Sequence, residues 1–410
     1  MGKVIWIVNQ YASHLEERHL NLSVNFAKKG YETVVITSSF HHGIHEYMYD
    51  EDCKVVQRNS GVHYVYLKPK PRYQNNGVKR ILNMVDFCRS YLHFQKRIAD
   101  ELGKPDCIIA SSAPPFVWEI GYITALKYKA SFIVEFRDIW PLSLVEVQGT
   151  SPSHPLVKLF GAMEKRAYRR ADAIVGTMPF AYKHVCDDLG FPKEKFHWMP
   201  NGLNLEKADK GGEQLPKELD EFLSSHWCCI YIGSIVKSES LDYIIDAVKK
   251  VKDPEVYFAI IGDGNLSPKI DDIISKTGGD RIHHFGSITK EQIPLALKKA
   301  DCCLAAIPDY PIYRFGLSMN KLSDYLYSGK PVVFACSWDN VVKDAGGGVV
   351  PFGDQQLMAD AIEKAKQLGK DELDKLAEAE RKIIHEQYDY KVIADRYLGM
   401  MEQLLKRAEA

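Results

Sequence analysis

Phe315-Gly-Leu-Ser-Met-Asn-Lys-Leu-Ser-Asp-Tyr-Leu-Tyr-Ser-Gly-Lys-Pro-Val-Val333 decides the fold class. It reads as a tight loop, a helix from about Asn320 to the stop residue Gly329, and a buried strand opening at Pro331. The first turn of such a helix presents unpaired N–H groups and a partial positive charge, which suits a phosphate or diphosphate. Lys321 adds a full charge there, and Asp324 lies one turn along on the same face, where a carboxylate can accept from ribose hydroxyls. An ordinary helix with a solvated lysine fits the same letters, so the rest of the chain has to discriminate.

Working outward, the same alternation repeats on both sides. Val4–Val8, Thr33–Ile36, Val62–Leu67, Cys107–Ala110, Phe132–Phe136 and Ala173–Val175 are short β-branched runs separated by helical stretches such as Arg18–Lys29, Lys79–Leu102 and His154–Arg170. Residues 203–225 turn to Lys, Glu, Asp and Gly and read as a linker. The alternation then restarts with Cys229–Ile232, Val256–Ile261, Ile282–Phe285 and Cys302–Ala305. The fold class is therefore α/β, with two tandem Rossmann-like domains.

At 410 residues the chain suits two or three domains, and 46% apolar with 26% charged residues is the composition of a soluble globular protein. A formal net charge of -1 gives no global attraction to nucleic acid. Met1-Gly-Lys leads straight into a strand, with no signal peptide and no run that spans a bilayer. Nine cysteines without a C-x-x-C pair read as reduced, packed thiols of a cytoplasmic protein. The His41-His42 and His45 cluster has too few neighbours for zinc, so no metal is expected.

Ligands of open α/β sheets bind beyond the carboxyl ends of strands. In the second half those ends are Gly233-Ser234, Gly262-Asp263-Gly264 and Phe285-Gly286, whose glycines suggest close backbone approach to a ligand. In the first half they are Asn9-Gln10-Tyr11, Ser111-Ser-Ala-Pro114-Pro115, and Arg137-Asp138 with Trp140-Pro141. A structural ion pair of Arg137 with a nearby carboxylate is the alternative use of those charges. Lys68-Pro-Lys-Pro-Arg72, with Lys79 and Arg80, is a basic patch suited to a pyrophosphate or an anionic lipid surface, or simply to solvent.

Taken together these residues resemble the family 4 glycosyltransferases of the retaining, two-Rossmann GT-B class, over nearly the whole chain. The carrying motifs are Asn201-Gly202, Tyr231-Ile-Gly233 with Leu241-Asp242, Ile261-Gly-Asp-Gly264, Phe285-Gly286, Ala300-Asp301, and Asn320-Lys-Leu-Ser-Asp-Tyr-Leu-Tyr-Ser-Gly-Lys-Pro-Val332. Arg137-Asp-Ile-Trp-Pro141 and the Asn-Lys form of the last motif look most like bacterial members that build O-antigen, capsule or related surface glycans.

The resemblance implies an acceptor-binding domain over residues 1–202, a nucleotide-sugar-binding domain over 203–386, an interdomain cleft, and a C-terminal helix, 387–410, returning to the first domain. It implies a metal-independent hexosyl- or N-acetylhexosaminyl-transferase without cofactor, at the cytoplasmic face of the inner membrane. The donor would be a nucleotide-sugar, UDP by family habit, and the acceptor a glycan or polyprenyl-pyrophosphate-linked glycan. Asp324 would bind ribose as the second acid of an E-x7-E motif. Ser318, Met319, Asn320 and Lys321 would cradle the diphosphate, helped by Lys237, and the backbone from Phe285 through Gly286 to Ile288 would meet the base. Asp138 would act on the acceptor side as a catalytic group, with Lys321 and Lys237 stabilising the leaving charge. Gln10, Tyr11, His14, Arg18, Pro114, Arg137 and Trp140 would line the acceptor side. The chain departs from the motif at Gly316, where the first Glu would fall. A nucleotide-sugar 2-epimerase and an inactive nucleotide-binding scaffold share this body and remain alternatives.

Overall fold

The apolar runs become parallel strands because each is buried on both faces. In the computed structural model, which describes residues 3–12, 18–59, 61–75, 77–210, 212, 214–277 and 280–409, the chain divides into two compact units. The first takes residues 1–201 together with 390–410; the second takes Gly202–Asp389.

The first unit holds β1 (Val4–Val8), β2 (Glu32–Ser38), β3 (Phe40–His41), β4 (Glu46–Tyr47), β5 (Cys53–Asn59), β6 (Val62–Leu67), β7 (Cys107–Ser111), β8 (Ser131–Phe136), β9 (Ala173–Gly176) and β10 (Phe196–Trp198). Its main sheet runs β10-β9-β8-β7-β1-β2-β6-β5, parallel except for β5, which returns antiparallel along β6. Helices α1 (Arg18–Lys28), α2 (Val78–Leu102), α3 (Phe116–Tyr128), α4 (Leu142–Glu146) and α5 (Pro155–Arg170) connect the strands. The order reverses between β1 and β7, so the loops after β1, β7 and β8 share one rim.

The second unit holds α6 (Leu205–Lys210), α7 (Lys217–Ser225), β11 (Trp227–Ile232), α8 (Leu241–Lys250), β12 (Val256–Ile261), α9 (Ser267–Thr277), β13 (Ile282–His284), α10 (Ile293–Lys299), β14 (Cys302–Ala306), α11 (Asn320–Ser328), β15 (Val332–Ala335), α12 (Val341–Asp344), β16 (Gly348–Val350), α13 (Gln355–Gln367) and α14 (Lys370–Ile383). The sheet order is β13-β12-β11-β14-β15-β16, all parallel, with its reversal between β11 and β14. The loops leaving those two strands therefore flank the crevice where a ligand of such a sheet binds.

The final helix, α15 (Tyr390–Glu409), packs on α1 within the first unit. Tyr390, Ile393, Tyr397 and Met401 join Ile5, Ile7, Leu22 and Phe26 in one core, at about 1.5–3 kcal/mol for each large side chain buried.

The structure corrects the linker reading of residues 203–225. Leu219 and Leu223, one helical turn apart, are buried and make α7 part of the second unit's body. The stretch after Pro179 contains a π-helical turn, Lys183–Asp188, in place of a regular helix.

Candidate functional site

In the second unit the site starts from α11. Met319 precedes the helix and makes no side-chain cap, so no side chain at the N-cap satisfies the first-turn amides. Tyr325, further along the helix, binds the end of β11: its hydroxyl accepts from the Ile232 amide at 2.7 Å. This fixes the helix against the strand end and aims the Lys321 side chain back across it. The Lys321 ammonium lies 3.0 Å from the Tyr231 hydroxyl and 4.2 Å from its ring centroid, and it pairs with Glu239. Burial lowers the lysine's pKa, with Glu239 opposing. Gly233 is what makes the space, since a Cβ there would sit 2.7 Å from the Lys321 Nζ.

Asp324, half-buried one turn on, accepts no hydrogen bond from any described residue. Desolvation pushes its carboxyl up to about 7, with Lys290 opposing. A poorly solvated carboxylate with open acceptors suits a pair of ribose hydroxyls.

Two other glycine positions have a different cause from the expected one. A Cβ on Gly262 would lie 1.8 Å from the Gly233 carbonyl oxygen, and one on Gly264 would lie 2.2 Å from that of Ile235. These glycines let neighbouring strand-end loops touch each other, and the backbone contacts are already made. Asp263 is likewise spent on its own turn, accepting from the Gly264 amide at 2.7 Å and the Ser267 hydroxyl at 2.5 Å.

Gly286 does adopt a left-handed φ of 70° with open space beside it, ahead of the half-buried Ile288. The Phe285 ring packs on Phe222 of α7, its amide donates to the Ile260 carbonyl at 2.9 Å, and the Gly286 carbonyl accepts from the Gly262 amide at 2.8 Å. Ser318 and Met319 are half-buried, while Asn320, Ser234 and Lys237 are exposed. Lys237 stands on the wall of a cavity of about 370 Å³ with Leu241, Leu266 and Tyr310.

The first unit's rim is built on a buried charge cluster. Glu135, inside β8, is fully buried and accepts from Arg18 Nε at 3.0 Å and Nη2 at 2.9 Å, from the Ser111 hydroxyl at 2.6 Å, and from the Tyr397 hydroxyl. His19 Nε2 lies 3.3 Å from the same carboxylate. Arg18 also donates to the Met199 and Pro200 carbonyls. Burial alone would raise the Glu135 carboxyl, but the Arg18 charge and the His19 bond hold it well below the usual range. Arg18 is thus a core residue with its donors committed, and the expectation that it lines an acceptor surface is corrected.

Pro114 is buried, Gln10 is buried against Asn83 at 2.8 Å, and Trp140 packs edge-on against Phe160. The Tyr11 hydroxyl meets Arg80. Arg137 is half-buried, and its backbone amide donates to Ser112 Oγ at 3.4 Å. Asp138 is open to solvent yet surrounded closely enough that desolvation raises its carboxyl, with Arg137 opposing. His14 lies outside the described residues.

The acidic Asp50-Glu51-Asp52 run is exposed, and the described residues contain no group of three or more His, Cys, Asp or Glu placed to hold a metal ion. No described helix is long and apolar enough to cross a membrane.

Comparison with known proteins follows the same division. A family model described as Glycosyltransferase Family 4 matches residues 16–207, and one described as Glycosyl transferases group 1 matches residues 221–383. The chain is 22% identical over 237 residues to an Escherichia coli (strain K12) protein named as a colanic acid biosynthesis glycosyl transferase, WcaI; the match covers 56% of this chain and 57% of that relative's length. Sucrose-phosphate synthase from Thermosynechococcus elongatus superposes with a TM-score of 0.75 at 14% identity, covering 99% of this chain and 100% of the other. HepE of Anabaena, in complex with UDP, superposes with a TM-score of 0.68 at 13% identity, covering 98% and 100%. With both halves matched in order by glycosyltransferase models and the fold shared over its whole length, the chain is a glycosyltransferase of the two-domain GT-B fold, a Family 4 domain followed by a group 1 domain.

Proposed function

We propose that the protein is a retaining, metal-independent transferase that moves a sugar from a UDP-sugar to a glycan acceptor on a polyprenyl-pyrophosphate lipid, in bacterial surface polysaccharide synthesis. The observation that carries the donor half is the α11 start: first-turn amides with no N-cap side chain on them, the Lys321 ammonium, and one turn along a carboxylate that accepts no hydrogen bond from a described residue. That order of groups matches diphosphate followed by ribose. HepE's complex with UDP and the name given to WcaI support the nucleotide and the pathway class.

In this reading the bond from the anomeric carbon to the β-phosphate oxygen breaks while an acceptor hydroxyl attacks the same face. The departing phosphate oxygen takes the acceptor's proton. Lys321, the α11 amides and Lys237 stabilise the leaving charge, a contribution that is often the largest in such transfers. Asp138, reachable and partly desolvated, orients the acceptor hydroxyl.

The lipid carrier is supported by α2. Val78, Leu82 and Val85, at 72%, 51% and 41% exposure, share one face, with Lys79 and Arg89 exposed beside them and Lys70 and Arg72 on the adjoining loop. Apolar wedges framed by cations suit an anionic lipid surface.

The test is label transfer from UDP-sugars with no acceptor, with a soluble glycan, and with a lipid-linked glycan in anionic vesicles. Transfer only with acceptor is expected, lost on vesicles alone in Val78→Asp/Leu82→Asp. Donor consumption without acceptor would favour the epimerase, and no turnover the scaffold.

Asp324 gives a pH signature. Its carboxyl is raised above its unfolded value, so its contribution to stability is complete below about pH 4 and lost as pH rises through about 7. The same ionisation creates the acceptor for ribose. Affinity for a UDP-sugar, whose two diphosphate charges do not change in this range, is expected to rise about tenfold from pH 6 to pH 8 in the wild type and to stay flat in Asp324→Asn. The variant should also melt higher than wild type at pH 8. Parallel pH profiles in calorimetric titrations would remove Asp324 from the ribose site.

A further inference from the structure

We infer that Glu239 is an internal counterion which the donor's diphosphate displaces from Lys321, and which drives the nucleoside diphosphate product off that cation after transfer. The inference rests on the reading of Lys321 as the diphosphate-binding cation. Glu239 closes a one-turn helix, Lys237–Glu239, immediately after the strand-end loop of β11, and Ser240 follows with a left-handed φ of 45°. The carboxylate thus reaches Lys321 from a different loop, 82 residues earlier in the chain. Side-chain exposure is 11% for Lys321 and 20% for Glu239, so the pair is only lightly screened.

An ammonium buried at a helix N-terminus needs a counterion, because an uncompensated charge in that setting is strongly unfavourable. With no ligand the carboxylate of Glu239 fills the role, alongside the Tyr231 hydroxyl and ring. A diphosphate brought to the same ammonium meets a like charge within hydrogen-bond reach of its own partner. The two anions therefore exchange. Glu239 is the more exposed member of the pair and stands on a one-turn helix, so it is the side chain that gives way.

The repulsion grows with the ligand's charge. A UDP-sugar carries two negative charges on its diphosphate and free UDP carries up to three, so Glu239 penalises the product more than the donor. It is a positioning and release residue rather than a catalytic one. The groups facing Lys321 are Glu239 from the turn and Tyr231 from β11, with Tyr325 of α11 beside them.

The experiment is calorimetric titration of the full chain with uridine, UMP and UDP, comparing wild type, Glu239→Gln and Lys321→Ala. Glu239→Gln is expected to bind UDP about tenfold tighter, UMP by a smaller factor, and uridine unchanged. In the same variant UDP binding should weaken at a lower pH than in wild type, because Lys321 has lost the carboxylate that opposes its desolvation. A purely structural role would lower the melting temperature and affect all three ligands alike. Glu239→Ala reads the same way if the glutamine variant folds poorly. Wild-type UDP binding with unchanged or weaker binding in both Glu239 variants would overturn the inference alone. No UDP binding in any of the proteins would overturn the donor-site reading, and the counterion role with it.

Discussion

Replacing Glu135 by alanine is expected to lower the unfolding free energy by about 3–5 kcal/mol, the usual result of stranding one member of a buried ion pair. Arg18 would keep its charge, because a guanidinium does not give up its proton at ordinary pH, and would have only carbonyls and a hydroxyl left as partners. The Ser111 hydroxyl and His19 would lose their acceptor too. The loss spreads through β7, β8, α1 and α15, the elements the carboxylate joins.

The pH dependence has a definite sign. A carboxyl held below its ordinary value of 4.5 stabilises fully above that value, and the contribution disappears as pH falls through the folded-state pKa. His19 is held neutral by burial, with Arg18 also opposing its charge, so it too costs stability as pH drops below 6.5. Wild type should lose stability steeply in acid, and Glu135→Ala should lose much less. Replacing Tyr397 by phenylalanine, which removes one hydrogen-bonding member, should cost about 1 kcal/mol. Urea denaturation at pH 7 and pH 4 measures all three. A Glu135→Ala loss below 1 kcal/mol would mean that the cluster does not hold β7, β8, α1 and α15 together.

The second large effect is on ligand binding. Lys321→Ala is expected to weaken UDP by about 2–3 kcal/mol, some 30- to 150-fold, with uridine affinity unchanged. The mechanism has two parts: the ammonium is lost, and Glu239 remains unpaired next to the incoming phosphate. Adding Glu239→Gln to Lys321→Ala should therefore recover part of the loss. The fold should tolerate the change, since Tyr325 rather than Lys321 ties α11 to β11. An equal fall in uridine affinity would mean that the substitution had collapsed the loop, and the phosphate role would not survive it.

Much of this was legible in the letters. Buried parallel strands announce themselves as continuous β-branched runs, and glycine stops mark the ends of their helices; that is why β1, β8, β11 and α11 are readable without coordinates. Elements with one wet face are harder. The β5 strand, at the sheet edge, has one buried residue and is otherwise half-buried or exposed, and α7 hides Leu219 and Leu223 among Lys, Glu and Asp. Arg18 and Glu135 are far apart in sequence, so nothing local says that a charged pair is buried rather than solvated. Glycine is ambiguous for a related reason: Gly262 and Gly233 both end strands, but one touches a neighbouring backbone and the other clears a lysine. Glu239 carries no signal at all, being one acid in a polar turn until the fold brings Lys321 to it.

The return of α15 has a consequence for how the protein is made. The Tyr397 hydroxyl that completes the Arg18–Glu135 cluster lies 379 positions after Arg18. Emerging from the ribosome, residues 1–201 present that ion pair without its last partner and expose the apolar face of α1 that α15 covers. All of Gly202–Asp389 is synthesised before the missing helix arrives. The first unit to be translated is thus the last to be finished, and for most of synthesis its unprotected surface is open to chaperones and to other nascent chains.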